Sequence, residues 1–152
     1  MSERPLGAAV EELEALIARL RTECPWDREQ THSSLVKYLV EESQEVVDAL
    51  AALERAGSGG ESGSTGEPSS AGAGFAELQE ELGDLFLQIL LHSRLAAEEG
   101  HFSLVDVIEG LQEKLIRRHP HVFGDFVADT SEEVNANWTR IKAAERAAKN
   151  QA

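Results

Sequence analysis

The sequence predicts an all-α fold, and three observations carry that prediction. Apolar residues recur at helical spacing along five segments. Strand signals are nearly absent: aromatic residues are few, β-branched runs are missing, and only Val122 to Val127 could be extended. Residues that cap or break helices, such as Pro25, Gly100, Ser103, Pro120 and Thr130, fall between the periodic segments. A compact bundle of about five helices follows.

The first helix is expected over about Gly7 to Arg21, with Val10, Leu13, Leu16, Ile17 and Leu20 along one face. Pro25 interrupts the pattern in Cys24-Pro25-Trp26-Asp27. The second begins near Thr31 or Ser33, both suitable N-caps, and runs to about Arg55. The third spans about Phe75 to Glu99, with Gly100 in the C′ position. The fourth follows Ser103, runs to about Arg118 and is closed by Pro120. The fifth starts after Thr130 or Ser131; Glu132 and Glu133 suit its first turn, and it ends near Lys149.

Gly57 to Gly74 is Gly/Ser-rich, contains Pro68, and is expected as a flexible loop joining two antiparallel helices. Neither flanking half looks large enough to fold alone. Residues 1–152 therefore read as a single domain. The net charge of −14 argues against a nucleic-acid-binding or anionic-membrane-binding role, each of which needs a basic face. The lone cysteine, Cys24, rules out an intrachain disulfide. The N-terminal residues lack a secretory pattern, and no apolar run is long enough to span a bilayer. A cytoplasmic location is expected.

Two acidic motifs carry the chemistry: Glu41-Glu42-Ser43-Gln44-Glu45 on the second helix and Glu81-Leu82-Gly83-Asp84 on the third. Carboxylates three apart on a helix project to one side. Leu35, Leu39, Val46, Leu50 and Leu53 are expected to form the core stripe of the second helix, with Glu42 at its edge, Glu45 beside it and Glu41 toward solvent. On the third, Phe75, Leu78, Leu82, Leu85, Phe86, Ile89 and Leu90 form the stripe, with Glu81 just off its edge and Asp84 further out. Four converging acids repel one another unless a cation lies between them. All-oxygen ligation selects Mg²⁺ or Mn²⁺ over Zn²⁺, and through the metal a phosphate substrate. Solvated acids supporting long helices are the plainer alternative. A di-iron bundle would want Glu-x-x-His motifs within two of its helices, and no expected helix contains one.

At these residues the chain resembles the MazG family of nucleoside triphosphate pyrophosphohydrolases. The resemblance runs from about Leu16 to Arg146 and rests on elements in family order. They are Cys24-Pro25-Trp26-Asp27 with Gln30-Thr31, the two acidic motifs, Glu98-Glu99-Gly100, Lys114 through Phe123, and Trp138 with Ile141-Lys142. It implies an all-α fold and Mg²⁺-dependent hydrolysis of (d)NTPs to the monophosphate and pyrophosphate, clearing the nucleotide pool. It also implies a homodimer or homotetramer, and metal ligation by Glu42, Glu45, Glu81 and Asp84. The linker between the motifs is longer here than in most members. The alternatives are a regulatory module of the same fold and a relative specialised for dUTP or a phosphoribosyl-ATP.

Further roles follow from residue chemistry. Glu41 is a candidate second-metal ligand or, with Glu45, a base that orients the attacking water. Lys114, Arg117 and Arg118 are candidates for phosphate contact, against the plainer reading of cations favoured at a helix C-terminus. Lys37, before the first motif, is a further phosphate candidate. Trp138 suits either stacking on a nucleobase or packing in the core. Trp26 and Pro25 are expected to form a rigid turn over the core.

Overall fold

The computed structural model describes residues 4–58 and 70–150. Seven helices and no strand occur among the described residues: α1 (Leu6–Glu23), α2 (Pro25–Glu29), α3 (His32–Ser58), α4 (Ser70–Glu98), α5 (Leu104–Arg118), α6 (Pro120–Phe123) and α7 (Ser131–Lys149). The five long helices are those the periodicity predicts. The two short ones, α2 and α6, each open on a proline, whose fixed φ suits a first helical turn. Val122 and Phe123, which could have been extended, belong to α6. The segment expected as a loop from Gly57 to Gly74 is helical at both ends, to Ser58 and from Ser70. Residues 59–69 lie outside the described residues. Packing accounts for the longer helices. A Cβ on Gly74 would stand 2.8 Å from Leu53 Cδ2, so α4 lies close on α3 near both helix ends. Tertiary contact there outweighs the low helix propensity of glycine.

The chain forms two compact units, residues 1–103 and 104–152. In the first, α3 and α4 run antiparallel. His32 meets His92, Glu45 meets Glu81, and Leu53 meets Gly74, so partner numbers fall on α4 as they rise on α3. The core comprises Ile17 of α1, Leu35 and Ala49 of α3, and Leu90, Leu91, Leu95 and Ala96 of α4. Leu39, Leu50, Phe75, Leu82 and Ile89, expected in the core stripes, are instead exposed, at 36% to 63%. One line along the contact follows Leu35, half-buried Glu42 and Ala49 on α3 and half-buried Glu81, Gln88 and Leu95 on α4, each at seven-residue spacing. Two turns of helix return a side chain to nearly the same direction, so these residues share one seam.

Charged contacts tie α1 to α4: Arg21 pairs with Glu98 at 2.7 Å, and Arg94 with Glu14 at 3.5 Å. Helix α4 ends as expected on Gly100, whose φ of 77° is left-handed. The amides of His101 and Gly100 donate to the carbonyls of Ala96 and Ala97, the paired bonds of a Schellman end. Thr31 caps α3 reciprocally: its hydroxyl accepts from Ser34 N, and Ser34 Oγ accepts from Thr31 N.

In the second unit no side chain of α5 or α6 is buried, and α7 buries only Asn137. Thr130 caps α7 by accepting from Glu133 N, while Glu133 Oε2 accepts from Asp129 N. The Thr130-x-x-Glu133 spacing is the signature of this arrangement, although Ser131 was an equal candidate from the sequence. No helix among the described residues is long and apolar enough to cross a membrane.

Candidate active site

The seam of α3 and α4 brings three of the expected ligands together. Carboxylate oxygens of Glu42, Glu45 and Glu81 all lie within 4.8 Å of one another. The spacing of the first motif does this locally. Glu42 and Glu45 are one turn apart on α3, and the antiparallel register sets Glu81 of α4 opposite them. Glu42 occupies the same angular position as buried Leu35 and Ala49 but is itself half-buried.

Desolvation is the first cause that raises the pKa of Glu42 above its ordinary 4.5. A hydrogen bond with Glu45 and the charges of Glu45, Asp84 and Glu41 add to it. Glu81 is raised as well, first by desolvation and then by the charges of Glu45, Asp84 and Glu80. Asp84 therefore stands close enough to act on both glutamates, but outside the tight trio. Glu41 is exposed and acts on Glu42. Three converging carboxylates, with Glu42 and Glu81 holding their protons more tightly than usual, are what an all-oxygen cradle for a hard divalent cation looks like before the cation's charge is added. The donor set thus fits such an ion.

The seam continues from the acids toward the N-terminus of α3. Gln88, two turns beyond Glu81, is 4% exposed, and its Oε1 has no hydrogen-bond partner. Sequence reasoning missed it; the signal was its seven-residue spacing from Glu81. One turn further, the His32 and His92 rings stack with Nδ1 atoms 2.7 Å apart. One Nδ1 must donate and the other accept. Burial first, and His32 second, lower the pKa of His92. Lys37 is exposed, with Nζ 4.5 Å over the Tyr38 ring.

The remaining candidates lie in the second unit. Arg117 and Arg118 both grip Glu145 of α7, at 2.8 and 2.7 Å. Two guanidinium groups hold that carboxyl down to about 2. The Arg118 guanidinium lies 5.5 Å from the Trp138 ring centroid, and the His119 ring meets Trp138 edge-on at 4.9 Å. Trp138 is thus packed by two neighbours. Lys114 is exposed on α5.

Fold and site together define an all-α protein with a carboxylate-lined helix hairpin suited to a cation and, through it, to a phosphorylated ligand. The chain belongs to the MazG nucleotide pyrophosphohydrolase domain family, whose model matches residues 30–123 and so takes in both acidic motifs. It is 39% identical over 145 residues to the nucleoside triphosphate pyrophosphohydrolase of Escherichia coli K12, covering 93% of this chain and 48% of that protein. It is also 39% identical over 145 residues to the Thermotoga maritima nucleoside triphosphate pyrophosphohydrolase/pyrophosphatase MazG, covering 94% and 48%. A 26.1 kDa protein of Streptomyces cacaoi is 42% identical over 142 residues, covering 92% and 50%. The chain spans about half the length of these relatives.

Proposed function

We propose that this protein hydrolyses nucleoside triphosphates, ribo- and deoxyribo-, to the monophosphate and pyrophosphate in a Mg²⁺-dependent reaction, with Mn²⁺ as a substitute. The observation that carries this reading is the trio of Glu42, Glu45 and Glu81 oxygens within 4.8 Å, inside a family-matched segment. Asp84 completes the ligand set, its charge already felt by Glu42 and Glu81. When bound, Mg²⁺ supplies charge neutralisation of the triphosphate oxygens. The chain's own residues do the rest. Glu42, Glu45, Glu81 and Asp84 would hold the ion, and only through it would the phosphates be drawn to the seam. Glu41, exposed beside Glu42, and Glu45 orient the attacking water and take its proton. The water oxygen bonds to the α-phosphorus, the bond from that phosphorus to the α–β bridging oxygen breaks, and pyrophosphate leaves.

Lys37, on the same helix as the first acidic motif, serves the phosphates in this reading. The protein works as a homodimer or homotetramer in the cytoplasm, where it clears nucleotides from the pool. Exposed Val36, Val40 and Val47 on α3 of the first unit support assembly, since a second copy would cover those apolar side chains. The test is to incubate each nucleoside triphosphate with protein and Mg²⁺ and separate the products. Monophosphate and pyrophosphate in equal amounts are expected. A diphosphate with inorganic phosphate, or no turnover of any nucleotide, would contradict the reading.

A further inference from the structure

Toward the N-terminus of α3, the α3–α4 contact holds a second polar group that the proposed hydrolysis does not use. His32 opens α3, and His92 meets it from α4. Glu42 lies about 15 Å further along α3, so this group is distinct from the acids. The two half-buried residues present rings parallel to within 9° and joined through their Nδ1 atoms, 2.7 Å apart. Their backbones are anchored. Thr31 and Ser34 cap α3 around His32, and Arg21 donates to the Gln30 carbonyl at 3.1 Å. On α4, His92 stands between Leu91 and Ser93, which are 1% and 4% exposed. Rigid elements hold ligands more precisely than loops do.

Two buried atoms beside this contact have no hydrogen-bond partner. One is Nε2 of His92 itself, and the other is Oε1 of Gln88, a residue 4% exposed. Gln88 precedes His92 by four positions on α4, so the two side chains are neighbours. A buried amide oxygen without a donor is costly and demands an explanation. Ligation supplies one. When both Nδ1 atoms bind an ion, each ring carries its proton on Nε2. His92 Nε2–H then needs an acceptor, and Gln88 Oε1 stands one turn away to be it. An oxygen behind the ring is the usual companion of a metal-bound histidine.

We propose that His32 and His92 bind one borderline transition-metal dication, with Zn²⁺ as the type, through their Nδ1 atoms, while Gln88 accepts from His92 Nε2 and water fills the remaining positions. Imidazole nitrogen selects this class, whereas Mg²⁺ favours oxygen. Zn–N bonds of about 2.0–2.1 Å at a tetrahedral angle set two nitrogens about 3.3 Å apart, so the rings need to part by about 0.6 Å. The proton of the Nδ1–H···Nδ1 bond passes to Nε2 of its own ring, and none is released. Burial, and then the charge of His32, hold His92 below its ordinary 6.5, so at neutral pH the ring has no second proton to lose. The ion ties the start of α3 to α4 and holds the register that sets Glu81 against Glu42 and Glu45. The site does not depend on what the acids do.

The test is a Zn²⁺ titration of the full chain in competition with a chromophoric chelator, with excess Mg²⁺ present to occupy the acids. Stoichiometric binding is expected, unchanged in Glu42→Gln and weakened at least about tenfold by His32→Ala or His92→Ala. Long-range ¹H–¹⁵N spectra of the imidazoles are expected to show Zn²⁺ shifting Nδ1 of both His32 and His92 and fixing the Nε2–H tautomer. Gln88→Leu removes the orphan oxygen and is expected to stay folded while binding Zn²⁺ about tenfold more weakly. Lost affinity without lost stability separates ligation from a general loosening of the hairpin. Zn²⁺ binding that survives in the His32→Ala/His92→Ala double variant, that Mg²⁺ displaces, or that Glu42→Gln abolishes overturns the site. Nδ1 resonances unmoved by Zn²⁺ overturn it too. Hydrolysis is read in none of these measurements, so failure here leaves the reading of the acids intact.

Discussion

At the scale of single residues, the seam acids carry an electrostatic debt that a cation removes. The pKa values of Glu42 and Glu81 lie above 4.5, so the folded chain binds their protons more tightly than the unfolded chain does. Their contribution in the metal-free protein is therefore greatest below 4.5 and is lost as pH rises through the raised values. Mg²⁺ is expected to raise Tm at neutral pH, by about 3 kcal/mol of stability at a hundredfold excess over Kd. The increment should shrink as pH falls toward 4.5. Thermal melts with Mg²⁺ and with EDTA across that range check it, and Glu42→Gln should flatten the difference. Arg21 gives a second residue-scale test. Arg21→Met removes hydrogen bonds from a charged group to Glu98 and to two carbonyls, and is expected to cost about 2 kcal/mol in urea melts. Glu98 should then lose the depression of its pKa that its hydrogen bond with Arg21 chiefly produces. Gln88 runs the other way. Its Oε1 is buried without a partner, so Gln88→Leu is expected to gain about 1 kcal/mol of metal-free stability.

Among the elements, helix ends were the most legible feature of the sequence. Gly100 was expected at C′ of α4 and stands there with φ 77°. Gly100→Ala forces a Cβ into the left-handed region and is expected to destabilise by about 1 kcal/mol, measured by chemical denaturation. The existence and order of the five long helices were legible for the same local reason, since periodicity and caps are written within each segment. The angular detail was not. Taking Leu39, Leu50, Leu82 and Ile89 as core assumed broad partner surfaces on every side of α3 and α4. Among the described residues the buried positions of α3 are Leu35 and Ala49 and those of α4 cluster from Gln88 to Ala96, so the outer positions of each expected stripe stay exposed. The short helices α2 and α6 escaped notice because proline was read as a breaker, whereas at N1 it starts a turn.

For the whole molecule, the acidic motifs were recognisable in sequence because one turn of helix sets the spacing of Glu42 and Glu45. Glu81 joins them only through the antiparallel register of α4, which the sequence alone did not specify. The partners of Arg117 and Arg118 were equally hidden: Glu145 lies 28 and 27 residues away. The exposed valines of α3 belong at this scale as well. Sedimentation velocity is expected to find a dimer or tetramer, and Val40→Glu, on the exposed side of α3, should shift it toward monomer. A wild-type monomer at micromolar concentration would remove the assembly from the proposal.

The central claim is that water attacks the α-phosphorus of a nucleotide held by the α3–α4 carboxylates. Hydrolysis of ATP in ¹⁸O-labelled water, followed by mass spectrometry of the products, tests it most directly. The label is expected in AMP and not in pyrophosphate, at a rate that Glu42→Gln lowers at least about 100-fold. Label in pyrophosphate or in inorganic phosphate, or an undiminished rate in Glu42→Gln, would contradict it.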